Sequence, residues 1–347
     1  MTIYDLDLSS LEERLTSWDA PAYRAKQIWE GVYRHLYSTW DEFTNLPAPL
    51  RSRLAAEFHL AALQPVARLA SSDGHTQKTA FRLLDGQQIE TVSMRYTGRA
   101  TLCISSQAGC AMGCVFCATG QMGFKRHLSS GEIVAQVLHS ARALDSEGIK
   151  LTNIVVMGMG EPFHNYANTM QAIDRLNNRE GFNFGARRFT ISTVGLPSMI
   201  RRFADEKQQV NLAVSLHAAD DQTRSRMLPV NRKFGIDEVL DACRYYVEQT
   251  NRRLTFEWAL IDGVNDSASQ AAALAARLRG LLCHVNAIPL NPTTGYVGRA
   301  TSRSRALVFK NELERAGIPC TVRLPRGIDI AAGCGQLAGE LGAGGRE

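Results

Sequence analysis

Apolar and polar positions follow two different rhythms along this chain, and the places where the rhythm changes divide it into parts. Across residues 1–60 the apolar positions recur at helical spacing in LSSLEERLTSW, AYRAKQIWEGVYRHLY and LPAPLRSRLAAEF, interrupted by turn signals at Ala20-Pro21 and from Asn45 to Pro49. This predicts a small N-terminal helical domain. Across residues 61–96 the period shortens to that of strands in VARLASS, TAFRLL and IETVSMRY, with a turn at Asp85-Gly86, which predicts a β connection. From 97 to 328 apolar, β-rich runs alternate with longer amphipathic ones. TLCISSQ, NIVVMGMG, RRFTIST, VNLAVSLH, LTFEWALI, CHVNAIPL and CTVRL are strand candidates. LSSGEIVAQVLHSARAL, YANTMQAIDRLNN, IDEVLDACRYYVEQ, SASQAAALAARLRGL and SRSRALVFKNELERA have the spacing of helices packed on one face. Such alternation predicts an α/β fold with a parallel sheet, and about six units make a full or partial (β/α)6 barrel whose chemistry gathers at the carboxyl ends of its strands. Residues 329–347 form a C-terminal segment, of which the glycine-rich stretch 333–345 reads as a mobile tail.

Composition narrows the class without choosing a function. With 45% hydrophobic and 21% charged residues the 347-residue chain reads as an ordinary soluble protein. MTIYDLDLSS lacks the basic and apolar regions of a signal peptide, and no uncharged run is long enough to span a bilayer. A cytoplasmic monomer with no membrane partner is the expectation. A net charge of +5 does not by itself demand a nucleic acid. Basic groups do recur in knots, among them Lys125-Arg126, Arg187-Arg188, Arg201-Arg202, Arg224 with Arg226, Arg232-Lys233 and Arg252-Arg253. Gathered on one face they would bind phosphates; taken singly, each reads equally well as a solvated loop or helix end.

Cysteine placement says more. Of eight cysteines, four crowd into residues 103–117, while Cys243, Cys283, Cys320 and Cys334 are scattered. Crowding of that kind favours a metal over structural disulfides. Cys110, Cys114 and Cys117 form a CxxxCxxC loop just after the first barrel strand candidate. Three thiolates on one loop can bind three irons of a cubane and leave the fourth iron open. Zinc is the rival, but a structural zinc site takes four protein ligands, and no fourth Cys or His lies at zinc-knuckle distance.

The segment CISSQAGCAMGCVFCATG closely resembles the radical S-adenosylmethionine signature in the form used by the RlmN/Cfr family of RNA methyltransferases. MGMGEP (157–162), TISTVG (190–195), SLHA (215–218), LPVN (228–231), GVND (263–266), PLNP (289–292) and GCGQLAG (333–339) resemble further blocks of that family, in its order. The resemblance implies a radical SAM barrel carrying a [4Fe-4S] cluster on Cys110, Cys114 and Cys117. It sets S-adenosylmethionine against Gly160, Glu161, Ser192, Ser215, Leu216, His217 and Asn291. Glycines 158 and 160 would let backbone approach the cofactor; taken alone, Ser192 or Asn291 is a turn or cap residue and His217 a hydrogen-bonded core histidine.

Methylation of an electron-poor amidine carbon such as adenine C2 offers no lone pair to an electrophilic methyl donor, and a radical route avoids that obstacle. The resemblance implies that Cys334 first accepts a methyl group, that the resulting methylene radical adds to the base, and that Cys103 resolves the enzyme–RNA adduct through a disulfide with Cys334. Glu90, in IETVSMRY, matches the family's proton acceptor, although it reads equally as one exposed glutamate on an alternating strand, and Cys103 could itself be the base. Cys103 in LCIS also suits a strand core; Cys243, Cys283 and Cys320 read as core packing. The implied partners are 23S rRNA, a tRNA anticodon loop, and an electron donor such as flavodoxin or ferredoxin.

Two details pull in opposite directions on the ring position. GIDIAAGCGQL departs from the DDIDAACGQL expected of C2 methylating relatives and is closer to those that methylate C8, whereas Pro162 after Glu161 matches the C2 group. A radical enzyme with a non-RNA substrate and an RNA-binding protein with a structural zinc complete the alternatives. The basic knots favour RNA, and they make a prediction: affinity for a ribosomal RNA fragment falls steeply with added salt, whereas a flat dependence in a filter-binding titration would remove the phosphate-binding surface from the argument.

Overall fold

A computed structural model describes residues 1–338 of the chain. Asp7 caps the first helix, α1 (Leu8–Thr16), by accepting a hydrogen bond from the Ser10 N–H at 2.7 Å. With α2 (Tyr23–Tyr33) and α3 (Ala48–Glu57) it encloses Leu11, Leu15, Ile28, Val32, Phe43, Leu54 and Phe58, all buried. Next come three antiparallel strands, β1 (Gln64–Ala70), β2 (Thr76–Arg82) and β3 (Gln88–Tyr96). β3 also pairs antiparallel with β4 (Arg99–Cys103), so this connection is an extension of the main sheet.

The chain then forms β5 (Gln107–Gly109), α4 (Ala118–Gln121), β6 (Phe124–His127), α5 (Ser130–Asp145), β7 (Asn153–Val156), α6 (Tyr166–Asn177) and β8 (Phe189–Thr193). It continues through α7 (Pro197–Asp205), β9 (Asn211–Ser215), α8 (Asp221–Met227), α9 (Ile236–Thr250), β10 (Leu254–Leu260), α10 (Ala268–Leu278), β11 (Cys283–Pro289), α11 (Arg303–Arg315) and β12 (Cys320–Val322). The ten-stranded sheet runs β1-β2-β3-β4-β7-β8-β9-β10-β11-β12, all parallel from β4 onward. Central strands are buried, as a parallel sheet covered by helices requires: Leu212, Ala213 and Val214 in β9 and, on one face of β10, Phe256, Trp258 and Leu260 have almost no exposure. This is the partial α/β barrel expected from the alternation, open between its two edges.

Several details differ from the sequence reading. TLCISSQ splits, because its last residue belongs to β5, which pairs with β6 in a separate two-stranded sheet bracketing the cysteine loop. Arg187 and Arg188 lie in a 3-10 turn ahead of β8. α7 and α8 were not anticipated; each spans few turns, although α7 buries Ile200, Phe203 and Ala204 on one face. Residues 333–338 are not a loose tail: Gly333 N–H donates to Gln336 Oε1 at 2.9 Å, and the Thr119 hydroxyl to Leu337 O at 2.6 Å. The rest of that expected tail, 339–345, lies outside the described residues.

Phe256 sits mid-sheet with no exposure. Phe256→Ala is therefore expected to destabilise the fold by about 3–5 kcal/mol in urea unfolding, and a loss below about 1 kcal/mol would contradict its place in the core.

Candidate active site at the carboxyl ends of the parallel strands

The cysteine loop is shaped by backbone hydrogen bonds from several elements. Cys110 N–H donates to Gly123 O at 3.0 Å, Val115 N–H to Met227 O at 3.0 Å, and Cys117 N–H to Cys114 O at 3.1 Å. Gly109, with φ +72°, leaves no room for a side chain, since a Cβ there would run into the Gly123 carbonyl. The loop brings the three predicted thiols into mutual electrostatic contact: Cys117 raises the proton affinity of Cys110 and Cys114, and Cys110 that of Cys114. Burial dominates, pushing Cys110 up to about 12 and Cys114 well above the ordinary thiol range. A thiol trio on one loop, next to buried Glu161 and with no fourth ligand of its own, fits an iron–sulfur cubane with an open corner.

The expected cofactor residues converge above this loop, each at or just beyond a strand end. Glu161 follows β7, and its carboxylate accepts from the N–H groups of Phe163 at 2.9 Å and Val194 at 2.8 Å. Burial raises its proton affinity to about 7. Gly160, with φ +102°, is needed for a protein contact as well as any ligand, because a Cβ would lie 2.5 Å from the Gln107 side chain. Gln107 Oε1 accepts from the Glu161 N–H at 2.8 Å, which fixes the amide so that Nε2 faces Nδ1 of His127 and His164, at 3.0 and 3.1 Å. Both histidine Nδ1 atoms are then acceptors.

Ser192 and Ser215, on β8 and β9, place their hydroxyls 3.5 Å apart. Leu216 is fully buried. His217 adopts φ +60°, and its Nδ1 accepts from the Ala259 N–H at 2.9 Å, with the ring edge-on to Phe116 of the cysteine loop. Burial, aided by Arg224, lowers its affinity for a proton to about 3, so the ring is neutral and its proton sits on Nε2. Asn291 donates from Nδ2 to Cys334 O at 3.0 Å, while its buried Oδ1 has no hydrogen-bond partner among the described residues. That orphaned acceptor is what a bound cofactor with polar hydrogens would satisfy.

Cys334 and Cys103 come together from opposite ends of the barrel region. Cys103 ends β4 and is buried; Cys334 is solvent-accessible yet set deep among protein atoms, as a residue lining the barrel lumen must be. Burial pushes each thiol up to about 12, and Cys334 adds to the shift at Cys103. Cys117 and Glu257 act on Cys334 in the same sense. Glu90 departs from expectation: it is 1% exposed, not an outward glutamate, with Oε1 3.2 Å from Lys78 Nζ and Oε2 accepting from the Ala338 N–H at 3.1 Å. Cys243, Cys283 and Cys320 are buried core residues on α9, β11 and β12, as read from sequence.

The sequence reading missed a polar row inside the barrel. Parallel register sets Ser215 beside Glu257 and Glu257 beside Asn286, on one face of β9, β10 and β11. Asn286 Nδ2 donates to Glu257 Oε2 at 2.6 Å, and Arg323 Nε donates to Asn286 Oδ1 at 3.0 Å. A glutamate in the middle of LTFEWALI was the available signal. Arg224, expected on a basic surface, is instead fully buried, donating to Leu216 O at 3.1 Å, Asn231 Oδ1 at 2.7 Å and Val194 O at 2.7 Å. It ties three of the family blocks together.

Comparison with known proteins agrees with this geometry. Residues 104–275 match the model of the Radical SAM superfamily, and residues 1–60 that of the ribosomal RNA large subunit methyltransferase N-terminal domain. The crystal structure of a radical SAM methyltransferase from Sphaerobacter thermophilus superposes with a TM-score of 0.96 at 54% identity, over 98% of this chain and 100% of that one. The fold and thiol loop thus define a radical SAM enzyme, a class that uses a [4Fe-4S] cluster and S-adenosylmethionine. The dual-specificity RNA methyltransferase RlmN 1 of Myxococcus xanthus is 50% identical over 335 residues, 96% of this chain and 93% of its own length. The chain belongs to the RlmN family of radical SAM methyltransferases.

Glu257 gives this site a pH signature. Its carboxyl is raised from 4.5 to about 7 by burial, against a lowering by Arg323 and Asn286. A raised carboxyl contributes stability that is complete below its unfolded value and is lost as the pH climbs through the folded one. Relative to Glu257→Gln, the native protein is expected to lose stability between about pH 5 and about pH 7, by up to about 1.4 kcal/mol per pH unit. Parallel stability curves for the two proteins in urea would exclude that assignment.

Proposed function

We propose that the protein methylates C2 of an adenosine in 23S rRNA, and of an adenosine in a tRNA anticodon loop, through an S-methylcysteine on Cys334. Membership of the RlmN family and the full-length likeness to a dual-specificity RNA methyltransferase support the substrate class. The observation that supports the mechanism is that the Ala118 N–H, next to Cys117, donates to Gly335 O, next to Cys334, at 2.7 Å, which sets the C-terminal cysteine against the thiol loop, and that Cys334 also raises the proton affinity of Cys103.

In this reading Cys110, Cys114 and Cys117 hold the cluster, and Gly160, Glu161, Ser192, Ser215, Leu216, His217 and Asn291 line the place for S-adenosylmethionine. When bound and reduced, these groups supply the methyl group and the 5′-deoxyadenosyl radical. Glu161 is already committed to two backbone N–H groups, so it acts as a fixed negative pole and not as a mobile acid. His217, neutral and held at Nδ1, offers an Nε2–H donor. Asn291 has an acceptor to give while its amide nitrogen holds the Cys334 carbonyl.

Cys334 gives up its thiol proton to solvent and takes the methyl group on sulfur. After hydrogen abstraction the methylene radical on Cys334 adds to the ring carbon; the adduct gives up one electron, which the oxidised cluster could accept when bound, and its ring proton passes to Glu90 or to Cys103. Cys103, as thiolate, then attacks the Cys334 sulfur: the S–S bond forms as the S–C bond to the base breaks, the released carbon takes up a proton to become the methyl group, and an external dithiol reduces the disulfide for the next turnover. Their high proton affinities keep both thiols protonated, and so protected from stray oxidation, until substrate arrives. A one-electron donor such as flavodoxin or ferredoxin supplies reductant, and the cytoplasm supplies the RNA; no helix among the described residues is long and apolar enough to cross a membrane.

The Gly327-Ile328-Asp329 element keeps C8 methylation of the same adenosine as the second reading. Mass spectrometry of adenosines from RNA treated with reduced enzyme and methyl-labelled cofactor separates the two. Cys103→Ala is expected to leave protein covalently attached to RNA on a denaturing gel, whereas Cys334→Ala yields neither adduct nor product. Efficient turnover by either variant would remove the two-cysteine mechanism.

A further inference from the structure

A buried lysine in the middle of a sheet is expensive to desolvate and calls for a reason. Lys78, on β2, is 7% exposed, and Glu90, on β3, is 1% exposed. Register pairs Ala80 with Glu90 and Lys78 with Val92, so the two charges are diagonal neighbours on one face of the antiparallel extension. Their ion pair, 3.2 Å long, lies against the C-terminal segment. Lys78 Nζ donates to Ala331 O at 3.2 Å, and Glu90 Oε2 accepts from the Ala338 N–H at 3.1 Å. Those two backbone groups flank Cys334 on either side. Outside the bracket, Asp329 Oδ2 adds to the docking by accepting from the Ser72 N–H at 2.7 Å.

Within the bracket the grip comes from elsewhere. Ala118 N–H donates to Gly335 O at 2.7 Å, the Thr119 hydroxyl to Leu337 O at 2.6 Å, and Asn291 to Cys334 O. The thiol-bearing turn is therefore stretched between the strand extension, which holds its ends, and the cysteine loop, which holds its middle. Gly335 has φ +83°, a conformation few other residues adopt, and it gives the turn a pivot beside the cysteine.

We propose that Lys78 is a positioning residue for Cys334: paired with Glu90, it clamps the segment at Ala331 and Ala338 and so sets where the thiol stands in the lumen relative to Cys103. The catalytic consequence rests on the reading of Cys334 as methyl acceptor; the clamp itself does not. A group that must meet a methyl donor, a base and then a resolving thiol needs its segment fixed at both ends, and the ion pair supplies those ends. Glu90 is then bonded to the same segment whose chemistry its proton acceptance would serve.

The test uses the full-length protein without added cofactor. Lys78→Met removes the ammonium but strands a buried carboxylate, so Lys78→Met/Glu90→Met, which replaces the pair by apolar groups of similar volume, is made alongside it. Hydrogen exchange followed by peptide mass spectrometry is expected to show amides of the segment around Cys334 opening about tenfold or more faster in the double variant, with α9 and β10 peptides unchanged. Alkylation of Cys334 by iodoacetamide, mapped by peptide, rises in parallel while Cys243 stays protected, and Lys78→Arg restores part of the protection. Unchanged exchange and alkylation of the segment in a folded double variant would overturn the proposal. In cluster-reconstituted enzyme Lys78→Met, which leaves Glu90 in place, is expected to load about tenfold less methyl onto Cys334 than Lys78→Arg. Should the native enzyme load no methyl while the exchange results stand, the S-methylcysteine reading fails and the clamp survives.

Discussion

Cys110 and Cys114, set on one short loop with Cys117, resist ionisation, and the rest of this structure is arranged around that fact. Removal from water pushes Cys110 and Cys114 far up, each thiolate would repel the others, and buried Glu161 adds a further negative pole. A strongly cationic centre would favour the thiolates of Cys110 and Cys114 against that burial, which suits the loop to iron. Its surroundings follow from the same electrostatics: the nearest buried guanidinium, Arg224, spends its donors on backbone carbonyls and an amide and partly offsets the negative field at Cys114. Glu161 is pinned by backbone N–H groups so that it cannot swing onto the metal.

Which sequence blocks build the site and which build the frame around it becomes clear only in three dimensions. The GVND block belongs to the frame. Asn265 is fully buried, donating to His217 O at 2.7 Å and Ala259 O at 2.6 Å and accepting from the Ile261 N–H at 2.8 Å, so it knots the end of β10 to the turn that carries His217. Asp266 ties the same turn to Thr301 and Arg305. LPVN likewise supplies Asn231 as a partner for Arg224. These residues shape the mouth without facing the lumen. Residues in GEP, TISTVG, SLH and PLNP do border it, and Asn291 keeps an acceptor unspent there.

The sheet was legible because a parallel sheet covered on both faces writes itself as continuous apolar runs, and the longer helices because amphipathic spacing over many residues is unambiguous. Short helices such as α7 and α8 carry too few periods for that signal. Side-chain environment was the harder quantity. Glu90 looked outward by alternation, yet both faces of the β2–β3 extension are covered, one of them by a segment more than two hundred residues distant, and Lys78 is the partner that makes its burial tolerable. Arg224 looked like part of a basic surface because charge in sequence says nothing of depth. Other members of the knots are also engaged internally: Arg126 pairs with Asp85 and Glu132, and Arg202 with Glu206.

The helical domain is bolted to the barrel and not tethered to it, which bears on how a large substrate is presented. Asp5 accepts from the Gly131 N–H at 2.8 Å at the start of α5, where a carboxylate also meets the positive end of the helix. Arg142, further along α5, donates to the carbonyls of Leu36 at 2.6 Å and Tyr37 at 3.0 Å, and Arg175 of α6 donates to Asp5 O at 2.7 Å. The contacts from Arg142 and Arg175 reach backbone carbonyls of the small domain, while the one at Gly131 depends on the Asp5 carboxylate; together they fix its orientation. α5 in turn reaches the cysteine loop, since Glu132 near its start holds Arg126 of β6 at 2.7 Å. A folded RNA gripped by the helical domain would therefore meet the lumen at a set distance and angle. Movement needed during catalysis must then come from the nucleotide or from the Cys334 turn, the element whose ends are clamped and whose centre is a glycine pivot.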